Sequence, residues 1–168
     1  QPLRISSAPI TNFRFVFLIA PDTIIPQHGL PSLLKTFSDL ERAGEQIGSI
    51  VYAYKNTHSQ QLSQICRCHG TRLKKETIAL RQNKIFEVDF TIASGSLIAA
   101  KTFQKVGLMD ADLFIDLVDV EWGLRAQALG CKNFQSFEKI MEHSLGSRSK
   151  KIFHEPRTIH PPIRNYYR

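Results

Sequence analysis

The chain of 168 residues has the length of a single domain, and its hydrophobic fraction of 42% is enough for a buried core. No apolar run approaches the ~20 residues of a membrane-spanning helix, we expect no signal peptide, and three cysteines form no disulfide framework, which is typical of a reducing cytosol. The formal net charge is +7, and residues 144–168 carry +5 of it, from six basic residues and one acid.

The first half of the chain predicts two strands and one helix. Residues 13–20 are rich in Phe, Val and Ile and predict a buried strand. A loop at residues 26–31 precedes apolar residues at helical spacing, which predict a helix that ends near Gly44: Leu33, Leu34, Phe37 and Leu40. Residues 47–54 predict a second strand, and the polar, basic residues 55–84 are expected to be mostly loop.

The second half continues the alternation of strands and helices. Residues 85–92 alternate apolar and polar side chains and predict a third strand. A strand end running into a short helix is predicted over residues 97–106, closed by Gly107, and a loop with two acids follows at residues 109–115.

A helix over residues 117–129, stopped by Gly130, is followed by two short predicted strands at residues 131–137 and 140–144. This alternation predicts an α/β fold with a mixed β-sheet flanked by helices.

The most informative segment is residues 113–126, LFIDLVDVEWGLRA, which places three acids and the only tryptophan at the start of a helix. Four residues predict a face that packs on the sheet: Leu117, Val120, Leu124 and Ala128. Four others predict a second face that small residues leave open for a ligand: Asp119, Trp122, Gly123 and Ala126. We therefore expect Asp119 to be a general base beside an aromatic wall.

The same segment also has a purely structural explanation. Asp116 can cap the helix, and Asp119 can be a first-turn acid that interacts favourably with the helix dipole. Glu121 can pair with Arg125, which lies four residues later.

Three further groups are weaker candidates. Asp22 follows a predicted strand, where a carboxylate can bind a divalent cation that carries a diphosphate, or simply form a turn after proline. The segment Ser94, Gly95 and Ser96 can offer backbone amides and hydroxyls to a sugar or phosphate, or form a tight turn. His143 can ligate a metal, contact a phosphate, or be a packed residue.

Two other features have limited weight. Cys66, Cys68 and His69 look like half of a zinc site, but no second ligand pair follows at a suitable spacing. The basic tail, with Tyr166 and Tyr167, can meet phosphate, anionic lipid or nucleic acid, or be a solvated end.

Taken in order, five segments resemble a known family. They are PDT at 21–23, TIASGSLI at 91–98, VGLMDADLFIDLVDVEWGLRA at 106–126, EHSLG at 142–146 and PPIRNYYR at 161–168. This order is similar to the rhamnosyltransferase branch of the family-two inverting glycosyltransferases, over nearly the whole chain. The FIDLVDVEW segment carries most of the specificity.

The resemblance implies a partial A-type, Rossmann-like glycosyltransferase fold. It implies transfer of a sugar, with rhamnose from dTDP-rhamnose expected, to a bacterial polysaccharide or lipid-linked acceptor. It assigns Asp119 as the catalytic base and places Glu121 and Trp122, together with residues 94–96, on the acceptor side. Asp22 and His143 match residues that hold the donor diphosphate and a divalent cation, Mg²⁺ or Mn²⁺.

The resemblance also implies a setting for this reaction. We expect a cytoplasmic protein that associates peripherally with the cytoplasmic face of the inner membrane, and nucleic acid is not an expected partner. Residues 1–143 are expected to form the catalytic, acceptor-side portion, and residues 144–168 a basic tail of the same domain.

Two departures qualify the resemblance. The family's Asp-x-Asp element reads Ala20, Pro21 and Asp22 here, so its first acid is absent. The family also has a nucleotide-binding half before this point, which the twelve to fourteen residues before the first predicted strand cannot supply. We therefore expect this chain alone to bind nucleotide sugar poorly and to turn it over negligibly.

Two competing functions remain at this stage. A non-catalytic module could hold anionic glycan, lipid or nucleic acid through residues 72–84 and the tail, and its binding would collapse with salt. A glycosidase needs two facing carboxylates, but Asp119 and Glu121 are two apart on a helix and do not face each other.

Overall fold

The computed structural model describes residues 13–69, 72–76, 84–113, 117–144, 148–152 and 155–159. The elements in chain order are β1 (Phe15–Phe17), β2 (Thr23–Ile24), α1 (Gly29–Arg42), β3 (Ile47–Asn56), β4 (Ile65–His69), β5 (Arg72–Glu76), β6 (Ile85–Val88), β7 (Leu97–Ala99), α2 (Ala100–Val106), a 3-10 turn at Ala111–Leu113, α3 (Val118–Ala128), β8 (Lys132–His143), β9 (Arg148–Ile152) and β10 (Glu155–Ile159).

The main sheet is mixed, as the sequence predicts. Its strand order is β1-β7-β3-β8-β2, and β6 pairs with the first part of β8. The β3–β8 pair is parallel, whereas β1–β7, β3–β7, β2–β8 and β6–β8 are antiparallel.

Helices cover both faces of this sheet. In β7, Leu97 and Ala99 pack in the cluster that includes Leu33 and Phe37 of α1. Ile98, which points the opposite way, packs in the cluster of α2 and α3. The predicted α/β architecture with a sheet between helices is therefore confirmed.

Helix α1 forms where the apolar spacing predicts it, but it begins earlier. Leu33 and Phe37 are 0% and 1% exposed and pack on the sheet. The helix begins at Gly29 after His28, whose backbone is left-handed at φ 55°. Pro31 is therefore inside the first turn, where a proline loses no intrahelical hydrogen bond, and the expected loop is shorter than residues 26–31.

The two short strands predicted near the C-terminus form one strand, β8. Tyr52 lies opposite Ser136 and Ala53 lies opposite Ile140, so an irregularity inserts extra residues on β8. The sequence pattern predicts a break between two strands at this irregularity, but the parallel β3–β8 ladder continues across it. As a result β8 extends to His143, beside Asn56 at the end of β3.

The expectation of a loop over residues 55–84 is wrong in part. β4 and β5 form an antiparallel hairpin in which Arg67 lies opposite Lys74. Ile65 is 2% exposed and anchors the hairpin in a third apolar cluster with Val88 and Phe137. The backbone of Cys68 donates to the Asp89 carboxylate, which ties β4 to the sheet.

Two other strands are shorter than predicted: β1 occupies only the middle of segment 13–20, and β6 only the first half of segment 85–92. In the tail, β9 and β10 pair with each other, while residues 160–168 lie outside the described residues. Within the described part of the chain, no helix is long and apolar enough to cross a membrane.

Candidate functional site

Asp119 lies in the first turn of α3 and is half-buried. Its Oδ2 atom accepts a hydrogen bond from the backbone amide of Ala93 at 3.2 Å, and Oδ1 accepts from Val120 at 2.9 Å. The residue before the helix, Leu117, has a left-handed backbone at φ 65° and gives no side-chain cap. Asp116, the expected cap, lies outside the described residues.

The positive end of α3 therefore meets the Asp119 carboxylate, as the dipole explanation expects. The carboxylate also binds a turn that precedes it by 26 residues. Three of the grooves in the described part of the chain lie beside α1 and α2, and Asp119 lines none of these three. Its half-buried carboxylate is held by two backbone amides.

The predicted open face of α3 is wrong. Trp122 is 2% exposed and Ala126 is 0% exposed, and both pack with Phe103 in the core. The Trp122 indole Nε1 donates to the carbonyl of Gly107 at 2.9 Å, so the ring is a packed residue and not a wall beside the acid. The face expected to pack is instead partly solvent-facing, with Leu117 61% exposed.

The face of α3 that was predicted to be open is buried because Gly123 is small. A Cβ atom at Gly123 would lie 2.5 Å from Cβ of Phe90, so the helix backbone rests directly on that residue. Small residues on a helix can leave room for a ligand or let a neighbouring backbone approach closely, and in this fold they do the second.

Glu121 forms the ion pair that its spacing predicts. Arg125 donates to both carboxylate oxygens, at 2.7 Å and 2.8 Å. The pKa of Glu121 is lowered, first by these hydrogen bonds. Arg125 also donates to the carbonyls of Val106 and Leu108, so the pair ties α3 to the end of α2, and an acceptor-binding role for Glu121 has to compete with this ion pair.

The segment of Ser94, Gly95 and Ser96 forms a tight turn whose side chains face inward. Ser96 is 1% exposed and its hydroxyl donates to the carbonyl of Ile92 at 2.5 Å. Gly95 is buried with φ 81°, and a Cβ there would lie 2.5 Å from Sδ of Met141. The expectation that these two residues meet an acceptor is therefore corrected, because both face the interior.

Ser94 connects this turn to the segment that carries Asp22. Its hydroxyl accepts from the amide of Ala20 at 2.9 Å and lies 2.6 Å from the hydroxyl of Thr23. The Thr23 hydroxyl lies 2.7 Å from Nδ1 of His143. Oδ1 of Asp22 lies 3.5 Å from the same nitrogen, so the structure brings Asp22, Ser94 and His143 together.

His143 is neutral at pH 7 in this setting. Burial lowers its pKa below the usual 6.5, and the nearby Asp22 carboxylate opposes that shift only in part. Only one assignment of donors gives both hydroxyl hydrogens of this series an acceptor within it: Ser94 donates to Thr23, and Thr23 donates to Nδ1 of His143. In that tautomer Nε2 carries the proton and is a hydrogen-bond donor.

Two residues of this region gave no functional signal in the sequence. Thr23 appeared only within the segment PDT at 21–23 and was given no role of its own, and its β2 strand is two residues long. Tyr54 appeared only as a strand residue, but its ring meets the His143 ring edge-on at 5.7 Å. Burial, and then the neighbouring Cys66 and Asp119, raise the pKa of Tyr54 to about 12, so it stays a neutral phenol.

The candidate site therefore has two parts that meet at two consecutive residues. The amide of Ala93 holds Asp119, and the hydroxyl of Ser94 holds the Thr23–His143 pair. Asp119, expected to be the base, and His143, expected with Asp22 to hold a diphosphate, thus lie beside the same turn of the chain.

A divalent cation fits this site only if the protein and a bound diphosphate coordinate it together. Asp22 is about half exposed and offers a carboxylate, but no group of three or more His, Cys, Asp or Glu side chains in the described part of the chain could cage a metal. Mg²⁺ commonly binds one or two carboxylates together with substrate phosphates. The residues present are therefore compatible with a cation whose remaining ligands come from a diphosphate.

Comparison with curated proteins found a sequence similarity to a sugar-transferring enzyme. The chain is 36% identical over 109 residues to the dTDP-rhamnosyl transferase RfbF of Shigella flexneri. The match covers 62% of this chain and 35% of that protein, so the chain spans about a third of the relative's length. No family model matches the chain. The similarity supports a relationship to glycosyltransferases.

Proposed function

We propose that this chain is the acceptor-side portion of an inverting glycosyltransferase that uses a nucleotide sugar. The observation that carries the proposal is the flanking of one turn by Asp119 on one side and the Asp22–His143 pair on the other. Sequence similarity to a rhamnosyltransferase supports rhamnose from dTDP-rhamnose as the donor group.

In the proposed reaction Asp119 is the general base. Its carboxylate takes the proton of an acceptor hydroxyl while that oxygen forms a bond to the anomeric carbon of the donor. The bond from this carbon to the diphosphate breaks, and the nucleoside diphosphate leaves with the bonding electrons. A positioned base of this kind contributes roughly 10²- to 10⁴-fold to the rate.

The diphosphate would be held by the other part of the site. Asp22 would offer a carboxylate to a divalent cation, Mg²⁺ or Mn²⁺, whose charge would neutralise that of the leaving diphosphate. His143 would donate from Nε2 to a phosphate oxygen. Its Nδ1 is occupied by the Thr23 hydroxyl, which fixes the ring.

The acceptor proposed here is a bacterial polysaccharide or a lipid-linked glycan. An acceptor of the second kind lies at a membrane surface, and a protein of net charge +7 is attracted to anionic lipid there. We therefore propose that the reaction takes place at the cytoplasmic face of the inner membrane, with peripheral association.

The test uses the polypeptide encoded by the whole reading frame that contains these 168 residues. Transfer of labelled rhamnose from dTDP-rhamnose to a polysaccharide or lipid-linked acceptor fraction is measured with Mn²⁺ present. Asp119→Asn is expected to abolish transfer while circular dichroism and the melting temperature stay close to those of the parent. Asp112→Asn, an exposed acid in the 3-10 turn, is the matched control and keeps transfer.

If Asp119→Asn transfers sugar as fast as the parent, Asp119 is not the general base. No transfer by the parent, together with salt-sensitive binding of an anionic glycan that Asp119→Asn leaves intact, would favour the binding module instead. Because the chain spans about a third of the relative's length, we expect the 168-residue chain by itself to bind dTDP-rhamnose weakly, and calorimetric titration with Mn²⁺ measures this directly.

A further inference from the structure

Helix α3 rests on residues 89 and 90 without intervening side chains. A Cβ atom at Gly123 would lie 2.5 Å from Cβ and 2.9 Å from Cα of Phe90. The position of Asp119 is therefore determined by how this helix is fixed against that segment.

The side chain of Asn133 fixes the two together. It is 0% exposed, and its amide nitrogen donates to the carbonyl of Asp89 at 2.9 Å and to the carbonyl of Gly123 at 3.0 Å. Its oxygen accepts from the Ser49 hydroxyl at 2.9 Å. Only an NH₂ group can face two carbonyl oxygens, so the orientation of this amide is determined.

Side-chain contacts continue from Asn133 to the turn that holds Asp119. The Ser49 hydroxyl lies 2.7 Å from the Thr91 hydroxyl, which lies 3.1 Å from the Ser96 hydroxyl. Since Ser49 donates to Asn133 and Ser96 donates to Ile92, the single hydroxyl hydrogen of Thr91 is donated either to Ser49 or to Ser96. Ser96 closes the turn by its bond to Ile92, and the amide of Ala93 in that turn binds Asp119 at 3.2 Å. The hydroxyl–amide network, defined as Asn133, Ser49, Thr91 and Ser96, thus contacts both anchors of Asp119.

We propose that the hydroxyl–amide network positions Asp119: it sets the helix that carries the carboxylate and the amide that binds it in one fixed relation. The members of the network are positioning residues that do not touch substrate. The importance of this arrangement for rate rests on the proposed function, since a misplacement of about 1 Å in a catalytic group can cost about 10²-fold in rate. Its geometric part stands independently and can be measured without activity.

The geometric test follows the Ala93 amide by NMR in the full chain. Asp119→Asn is measured first, to define how the Ala93 amide shift and hydrogen exchange change when the carboxylate is lost. Thr91→Val removes one hydroxyl of the network at nearly constant volume and is expected to move the Ala93 amide in the same direction, with faster exchange. The matched control is Thr102→Val, an equally buried threonine whose hydroxyl binds the carbonyl of Ile47 at 3.0 Å.

A second variant perturbs the other end of the network. A Cβ at Gly48 would lie 2.5 Å from Oδ1 of Asn133, so Gly48→Ala displaces this amide without touching Thr91. It is expected to give the same Ala93 signature, whereas Gly44→Ala, which has open space around its Cβ, gives none. If Thr91→Val does not fold, Ser49→Ala removes the same link from its other side.

The kinetic test is run in the polypeptide used for transfer. Thr91→Val is expected to lower kcat by roughly tenfold or more while the KM for the donor changes little, because only the geometry of the base is altered. Thr102→Val is expected to leave both parameters unchanged.

The positioning role of the network and the proposed transferase function can be contradicted independently of each other. Thr91→Val and Thr102→Val are compared at equal losses of stability. If both give the same chemical shift and hydrogen exchange for the Ala93 amide, the positioning role is overturned, whether or not the protein transfers sugar. Absence of transfer by the parent overturns the proposed function, and the Ala93 measurement still decides the network.

Discussion

The hydroxyl of Thr23 lies 2.7 Å from Nδ1 of His143, and the same two residues are direct partners in the β2–β8 ladder. One pair of residues therefore joins two distant parts of the chain through both backbone and side chains. The Ser94 hydroxyl, 2.6 Å from Thr23, adds the turn that precedes β7. Loss of this single hydroxyl should affect all three segments.

Thr23→Val is expected to destabilise the protein by about 1 to 3 kcal/mol, since it removes the hydroxyl partner of Nδ1 of His143 and leaves the Ser94 hydroxyl with only the amide of Ala20. Urea unfolding followed by circular dichroism measures the change. Ser38→Ala is the comparison, because it removes a hydroxyl bond to Leu34 within α1 and crosses no tertiary contact. Equal effects of the two variants would contradict a joining role for Thr23.

His143 makes the stability depend on pH in a defined direction. Burial lowers its pKa in the folded protein below 6.5, so the unfolded chain binds the proton more readily between these two values. The stability is therefore complete above pH ~6.5 and decreases as the pH falls through the folded pKa. Unfolding measured from pH 8 down to pH 5 should show this slope, and His143→Gln should reduce it.

Asp22 provides an internal check on that pH dependence. Its carboxylate partly offsets the effect of burial, so Asp22→Asn should lower the pKa of His143 further. A titration of the imidazole ring followed by NMR measures this. A pKa that rises in Asp22→Asn would show that the 3.5 Å contact does not act as an attraction between opposite charges.

Arg125 is expected to matter more than a surface ion pair. Arg125→Met removes the bidentate contact with Glu121 and the bonds to two backbone carbonyls at the end of α2, at a cost of about 1 to 2 kcal/mol. The pKa of Glu121 should rise towards its ordinary value at the same time. Lys35→Met, which breaks an exposed pair with Asp39, should change the free energy of unfolding much less than Arg125→Met does, because water screens exposed ion pairs.

Gly95 and Gly44 form a matched pair for separating backbone strain from crowding. Both have positive φ, of 81° and 90°, and alanine at such an angle costs about 1 to 2 kcal/mol. Only at Gly95 would the new Cβ also meet Met141, which adds about 1 to 3 kcal/mol of overpacking. Chemical unfolding of Gly95→Ala and Gly44→Ala should therefore differ by that added amount, and a difference near zero would contradict the close contact.

The local features of the fold could be predicted from the sequence because their causes lie within a few residues. The spacing of Leu33 and Phe37 predicts α1, and Gly107 and Gly130 end the helices before them as expected. The separation of Glu121 and Arg125 by one helical turn predicts their ion pair. The mixed sheet followed from the alternation of such elements along the chain.

The sequence by itself determined the three α-helices, the strands around them in the mixed sheet, and the identity of the acids and the histidine near the candidate site. It did not predict the β4–β5 hairpin. Only the tertiary structure decided that Trp122 is buried, that β8 continues through its irregularity, and that Thr23, Ser94 and His143 meet across 71 to 120 positions of sequence separation. The physical reason is that Gly123 is compatible with either an open cleft or close backbone packing. The choice between them depends on the residue that lies opposite, Phe90, and no local pattern contains that information.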